Sequence, residues 1–366
     1  MIRPRLPGNW ALPLSWLYGT AVGVRNWTFD HGLRRLDRLD RPVVSVGNLT
    51  VGGGGKTPLT MALAQGLTDR GLRIAVLSRG YGGKFKGRAL LVSDRTGVRA
   101  DARRAGDEAV LLARRLPGIP VAVAPRRWHA GRLVAALGPI DCFLLDDGFQ
   151  HRRLVRTVDL CLIRADETDG GGPEATAPPR PRLLPVGPLR ESLRGLRRAD
   201  AVLLTRVRDP EATAPYREMV RQRRPDVPIF CAGYRPVAYH TILDGKAVPL
   251  DYLKGKRAGS FCGLYDNESF IRQLAALEVE RVFHEHYADH HGYTQSQVER
   301  LIKKARRQDC DFLITSEKDA VKLAKLDIRY FPILSLRMEA FLHDEAEFYR
   351  LLLARITDPE RRSTAV

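Results

Sequence analysis

The residues best suited to chemistry form one run, Gly47-Asn48-Leu49-Thr50-Val51-Gly52-Gly53-Gly54-Gly55-Lys56-Thr57. Glycines let backbone N–H groups close around phosphate oxygens. At the end of such a loop, Lys56 is placed to reach the β- and γ-phosphates and Thr57 to hold Mg²⁺. Thr50, Val51, Gly52, Gly53, Gly54, Gly55, Lys56 and Thr57 are therefore the candidate nucleotide contacts. The strict pattern GxxxxGK[ST] asks for glycine where Thr50 stands. A glycine-rich turn that binds nothing is the alternative. A β-branched run before the loop and a helical run after it argue against that.

Four other clusters could act with this loop. Phe143-Leu144-Leu145-Asp146-Asp147-Gly148 is an apolar run ending in carboxylates, the arrangement that holds Mg²⁺ beside a phosphate loop. Asp-Asp after a strand is also a common turn. Gly106-Asp107-Glu108 opens a helical run, where acids suit the helix dipole. The functional alternative puts Asp107 near the transferred phosphate or the attacking hydroxyl. In His284-Glu285-His286-Tyr287-Ala288-Asp289-His290-His291, His286 and His290 have the i, i+4 spacing of a zinc pair. Tyr287 stands where H-E-x-x-H needs its glutamate, which disfavours a catalytic zinc. Asp289 beside His290 could tune a base; a surface loop carrying histidines explains the run equally well. Thr315-Ser316-Glu317-Lys318-Asp319 has part of a base-reading motif but no asparagine, and a strand-to-helix turn capped by Ser316 accounts for it as well.

The elements that must position these residues alternate. Short apolar strands are expected near 42–46, 74–77, 121–124, 142–145, 160–163 and 201–204, with a helix over 57–68. That alternation predicts an α/β fold with a P-loop NTPase-type parallel sheet and flanking helices. After a polar stretch at 209–228 the pattern resumes, with strands near 260–262, 281–283, 312–315 and 331–334 and helices over 268–276, 295–307 and 345–356. These form a second, smaller α/β lobe. The Gly-, Pro- and acid-rich stretch 165–181 reads as a mobile loop. The expected division is an N-terminal segment 1–40, a P-loop domain 41–225 and a C-terminal lobe 226–366.

The chain has 366 residues, 44% of them hydrophobic, enough for a sizeable core and against wholesale disorder. Lys and Arg number 60 against 42 Asp and Glu, a net +18 that attracts polyanions such as anionic lipid, nucleic acid or a phosphorylated substrate. The five cysteines form no CxxC and sit in apolar runs, as buried reduced thiols do. The apolar run 11–24, flanked by Arg3, Arg5 and Arg25 with Trp10, Trp16, Tyr18 and Trp27 in or beside it, is too short for a confident membrane span and lacks a signal cleavage site. It suits an interfacial amphipathic helix or, equally, a helix packed on the protein's own core.

Together these residues resemble the tetraacyldisaccharide 4′-kinase family of lipid A biosynthesis. The likeness runs over nearly the whole chain, through Leu14-Ser15-Trp16-Leu17-Tyr18-Gly19, the loop above, Leu77-Ser78-Arg79-Gly80-Tyr81-Gly82-Gly83, Ala105-Gly106-Asp107-Glu108 and Pro125-Arg126-Arg127. It continues through Leu145-Asp146-Asp147-Gly148-Phe149-Gln150-His151, Leu184-Pro185-Val186-Gly187-Pro188-Leu189-Arg190-Glu191, Tyr287-Ala288-Asp289-His290-His291 and Thr315-Ser316-Glu317-Lys318-Asp319-Ala320-Val321-Lys322. Thr50 in the loop is itself the family's form.

The resemblance implies transfer of the γ-phosphate of ATP, with Mg²⁺, to the 4′-hydroxyl of a tetraacyldisaccharide 1-phosphate, giving lipid IVA. It implies that Asp107 and His290 pair to activate that hydroxyl, with Lys56 on the phosphates and Tyr81 on the nucleotide. Asp146, Asp147, Gln150, Glu108 and Glu191 match residues near Mg²⁺, and Arg126 and Arg127 match contacts to the substrate phosphate. It implies work at the cytoplasmic face of the inner membrane of a Gram-negative bacterium, which favours the interfacial reading of the N-terminal helix. No specific nucleic acid and no obligate protein partner are expected. There are two departures: the stretch 165–181 is longer and richer in proline than the family's glycine turn, and Asn267 lacks a following proline. A different P-loop ATPase or GTPase would keep Lys56, Thr57 and Asp146 without needing Asp107 or His290. A nucleic-acid-binding ATPase would answer the charge, but no such motif is present. An intact phosphate loop argues against a non-catalytic membrane anchor.

Overall fold

The computed structural model describes residues 9–53, 55–165 and 182–358. Gly54 and nearly all of the expected loop at 165–181 lie outside them. Helix α1 (Leu12–Asp30) leads into strand β1 (Val43–Asn48), the phosphate loop and helix α2 (Lys56–Asp69). Then come β2 (Ile74–Ser78), β3 (Leu90–Ser93), α3 (Ala102–Ala105), α4 (Asp107–Arg115), β4 (Val121–Val123), α5 (Arg127–Ala135), β5 (Cys142–Asp146), β6 (Val158–Arg164) and β7 (Ala201–Thr205). The polar stretch holds α6 (Ala214–Arg221), followed by the long strand β8 (Ile229–Thr241) and the short β9 (Ala247–Val248). The C-terminal part runs β10 (Arg257–Cys262), α7 (Asn267–Ala276), β11 (Glu280–His286), α8 (Gln295–Arg307), β12 (Phe312–Ser316), α9 (Glu317–Leu323), β13 (Ile333–Leu342) and α10 (Glu345–Thr357).

The strands make one sheet in the order β11-β10-β12-β13-β8-β7-β6-β1-β5-β2-β4-β3, with β9 on β8. It is mostly parallel; β3 on β4, β9 on β8 and β13 on β8 are antiparallel. Every residue of β1, β2, β5 and β7 is buried, as in strands covered on both faces. The sheet is continuous across residue 225, because β8 pairs with β7 through its first residues and with β13 along most of its length. Local chemistry explains the helix starts. Thr294 and Gln297 form a capping box at α8, whose buried Val298, Leu301, Ile302 and Ala305 lie on one face. At α7, Asp266 accepts from the Ser269 N–H, which caps the helix start without a proline after Asn267. All five cysteines are buried and free.

Helix α10 returns to the nucleotide-loop half. Phe348, Tyr349, Leu352 and Ile356 join the core formed by β1, β5 and α2. Tyr349 Oη donates to the Ala62 carbonyl at 3.2 Å and fits against Gly66, where a Cβ would clash. Phe348 is fully buried against Phe230 of β8. Phe348→Ala is expected to cost about 3–5 kcal/mol. A matching fall in the urea midpoint with unchanged slope checks this; an unchanged midpoint would mean α10 is an appendage.

Candidate active site

β1 and β5 are parallel neighbours, with Val46 beside Asp146, so the phosphate loop and Asp146 emerge at the same sheet edge. The loop turns through Gly52 at φ +97° and Gly55 at φ +72°, which a side chain resists. A Cβ on Gly55 would lie 2.0 Å from Tyr234 Oη, which donates to the Gly55 carbonyl at 3.0 Å. No side chain caps α2, whose first turn thus offers backbone N–H groups to an anion. Lys56 Nζ lies 3.2 Å from Asn48 Oδ1 and 3.6 Å from Asp147 Oδ1.

The two aspartates differ in environment. Asp146 is buried and accepts from Thr60 Oγ1 at 3.1 Å. Burial, with Glu108 and Asp147 nearby, pushes its carboxyl up to about 7. Burial also opposes charge on Asp147, but Lys56 and Arg190 outweigh it and hold this carboxyl below its usual range. Arg190 Nη1 lies 2.9 Å from both Asp147 oxygens.

Asp107 and His290, 183 residues apart in the chain, meet in space. His290 Nδ1 lies 3.0 and 3.1 Å from the two Asp107 oxygens. Asp107 is buried at the start of α4; His290 sits in the left-handed region at φ +59°, a conformation that costs energy outside glycine. The Tyr81 ring centroid is 4.8 Å from that of His290. Burial disfavours charge on both partners, but their mutual bond and attraction, helped by Lys318 and Lys322 on Asp107 and by Asp289 on His290, together outweigh it, lowering Asp107 and raising His290. His286 and His290 do not form the helical pair their spacing suggests, since His286 ends strand β11 and His290 lies in the loop beyond. His284 bonds Ser260 and Asn267 instead.

Thr57, Lys56, Tyr81, Glu108, Asp147, Gln150 and His290 line one cleft of about 1100 Å³, with Val51, Gly52, Gly53 and Gly55. Thr50 lies at the loop's edge, bridged to Leu189. Asp107 and Asp146 are not among the lining residues; both are buried, bonded to His290 and Thr60. Three more expected residues stand elsewhere. Glu191 is 3% exposed and saturated behind the cleft by Arg198, Asn26 and Gln150. Arg126 is engaged by Asp37, through both Nε and Nη2. Arg127 is buried, donates to the Pro125 carbonyl, and is lowered to about 10 by burial and by Arg79. Neither arginine lines the cleft; Arg25, Arg79, Arg190 and Arg206 do. Of the lining residues sequence reading passed over, Arg190 lay inside a quoted motif, whereas Arg206 and Tyr234 carry no motif at all.

Helix α1 borders the cleft through Tyr18, Val22 and Arg25. Ser15, Tyr18 and Arg25 donate to the carbonyls of Leu183, Arg190 and Gln150, and Asn26 to Glu191. Away from these anchors, Trp10 and Trp16 are 76% and 79% exposed, with Leu17, Val24 and Trp27 also open. No helix among the described residues is long and apolar enough to cross a membrane.

Comparison with known proteins identifies relatives. The family model described as tetraacyldisaccharide-1-P 4′-kinase matches residues 9–357. The tetraacyldisaccharide 4′-kinase of Syntrophus aciditrophicus is 37% identical over 94% of this chain and 92% of its own length. That of Geobacter metallireducens is 38% identical over 89% of this chain and 92% of its own. A crystal structure of LpxK from Aquifex aeolicus in complex with ATP superposes with a TM-score of 0.75 at 31% identity, covering 97% of this chain and all of that one. Its phosphate loop, Asp147 and His290 line a single cleft, and by the match over residues 9–357 the chain belongs to the tetraacyldisaccharide-1-P 4′-kinase family.

Proposed function

We propose that the chain moves the γ-phosphoryl group of ATP to the 4′-hydroxyl of a tetraacyldisaccharide 1-phosphate, giving lipid IVA. The observation that carries this reading is the shared cleft: Lys56 and His290 line one space, and Asp107 is bonded to His290 from the buried side. Phosphoryl transfer needs positioning and charge neutralisation above all. The α2 N-terminus and Lys56 hold the phosphates, and Tyr81 borders the nucleotide. Asp107 and His290 take the proton of the sugar hydroxyl, a poor nucleophile until it is removed.

The donor set fits Mg²⁺. No group of three or more His, Cys, Asp or Glu forms a metal cage among the described residues. Mg²⁺ needs none, since it takes one or two carboxylates and otherwise keeps water and phosphate oxygens. Thr57, Asp146 and Asp147 would hold it, with Glu108 and Gln150 close by; when bound it neutralises phosphate charge. The crowding that raises Asp146 is what a divalent cation relieves.

The exposed Trp16 and Trp27 of α1, its Arg25, and Trp10 just before it suit a helix lying in the headgroup region of the inner membrane's cytoplasmic face. Acyl chains then stay near the bilayer while the disaccharide enters beside Arg25. The division near residue 225 is functional in this reading: 41–225 brings the phosphate loop and Asp107, 226–366 brings His290.

Labelled γ-phosphate, tetraacyldisaccharide 1-phosphate and detergent micelles test the reading. Labelled lipid supports it; ATP turnover without labelled lipid points to another acceptor. The pair also sets a pH dependence. It accepts a proton only when His290 is not already carrying one. Because the Asp107 bond raises His290, transfer is lost as pH falls through a value above the ordinary 6.5. An acid limb of kcat/KM at or below 6.5 would separate His290 from the proton transfer.

A further inference from the structure

The stretch Thr315–Asp319 is left without a role by the reading above, yet its lysine is drawn into the site. Lys318 Nζ lies 2.9 Å from Asp289 Oδ1, 3.1 Å from Glu108 Oε1 and 3.3 Å from His290 Nε2. An ammonium has three donors and no acceptor; here it bonds Asp289 and His290 and forms an ion pair with Glu108. The side chain is 14% exposed, so these contacts are only weakly screened.

The donor logic fixes the imidazole. Asp107, ionised, only accepts, so the ring nitrogen facing it, Nδ1, carries the hydrogen. Lys318 only donates, so Nε2, facing it, presents its lone pair. Between them the two residues select one neutral tautomer of His290 and its ring orientation. Lys318 also spans the two parts of the chain that make the pair, since Glu108 follows Asp107 on α4 while Asp289 precedes His290. Its own helix is fixed. Glu317 takes both a 2.7 and a 2.8 Å bond from Arg115 of α4, and Asp319 accepts from the Gly263 N–H at 3.0 Å.

We propose that Lys318 is a positioning residue for the transfer, holding His290 in register with Asp107 by bridging Glu108, Asp289 and the imidazole Nε2. The proposal rests on the assignment of Asp107 and His290 as the hydroxyl-activating pair. Lys318 acts through His290 and need not touch the acceptor.

The test is a double-mutant cycle in the micelle assay, with Lys318→Met, which keeps the stem and removes the charge, and His290→Ala. Lys318→Met is expected to lower kcat about 10–100-fold, the scale of a misplaced catalytic group, with the KM for ATP within about twofold. Lys318→Arg should recover part of the loss. In the His290→Ala background, Lys318→Met should cost less than about twofold, because nothing remains to position. Wild-type kcat in Lys318→Met while His290→Ala is impaired overturns this inference alone. Equal losses in both backgrounds also overturn it, showing a merely structural role. Full turnover in His290→Ala overturns the pair assignment and this inference with it. Thermal melts of each variant separate misfolding from misplacement.

Discussion

Asp107→Ala is expected to lower transfer to the lipid by about 10²–10⁴-fold, the range for removing a general base. ATP affinity should stay within about twofold. The split follows from where the carboxylate points. Asp107 is buried at the start of α4, and its side-chain partners are His290 and Lys322. The nucleotide's phosphates belong to the loop and Lys56. Losing Asp107 also removes the bond that raises His290, so the remaining imidazole is a weaker base with no partner to orient it. Single-turnover transfer beside an ATP titration measures both halves of the prediction. Normal turnover would remove Asp107 from the chemistry; lost ATP affinity would mean the cleft itself had changed.

Lys56→Met should cost about 10²–10³-fold in kcat, the cost of losing one preorganised charge at a developing anion. Lys56 pairs with Asn48 and Asp147. The substitution leaves Asp147 held by Arg190, so the fold should survive. Asp107→Ala and Lys56→Met ought to differ in ATP hydrolysis without lipid: Lys56→Met abolishes any such turnover, and Asp107→Ala spares it. Equal hydrolysis by the two variants would mean that Lys56 does not act on the phosphates.

The sequence revealed most where strands are buried on both faces. β1, β2, β5 and β7 are continuous apolar runs, and their places were readable to within a residue or two. β8 was not readable, because its partly exposed second half contains Pro236 and it changes partners along its length. Only the first residues of β13 were anticipated, since beyond Leu336 it is half-exposed. Helices α5, α6 and α9 span only 9, 8 and 7 residues, too few turns for periodicity to speak. Ser316 does cap α9, accepting from the Asp319 N–H.

The site divides similarly. The phosphate loop and Asp146 are local in sequence and announce themselves. The Asp107–His290 contact spans 183 residues, and nothing in either segment names the other. Resemblance alone joined them. Resemblance also offered Arg126, Arg127 and Glu191 as contacts, where the structure gives each a protein partner instead. A charged residue in a motif can serve the scaffold as readily as the ligand, and only its neighbours tell which.

The return of α10 to the first half has a consequence for how the chain is made. Phe348, Tyr349, Leu352 and Ile356 complete a core whose other walls, β1, α2 and β5, were synthesised some 200 or more residues earlier. Until residues 345–357 leave the ribosome, the nucleotide-loop half carries an open apolar face. β8 meanwhile waits for β13, roughly a hundred residues behind it. Such late, long-range closures slow folding and prolong exposure to aggregation. A nascent chain stalled before Phe348 is therefore a natural client for chaperones.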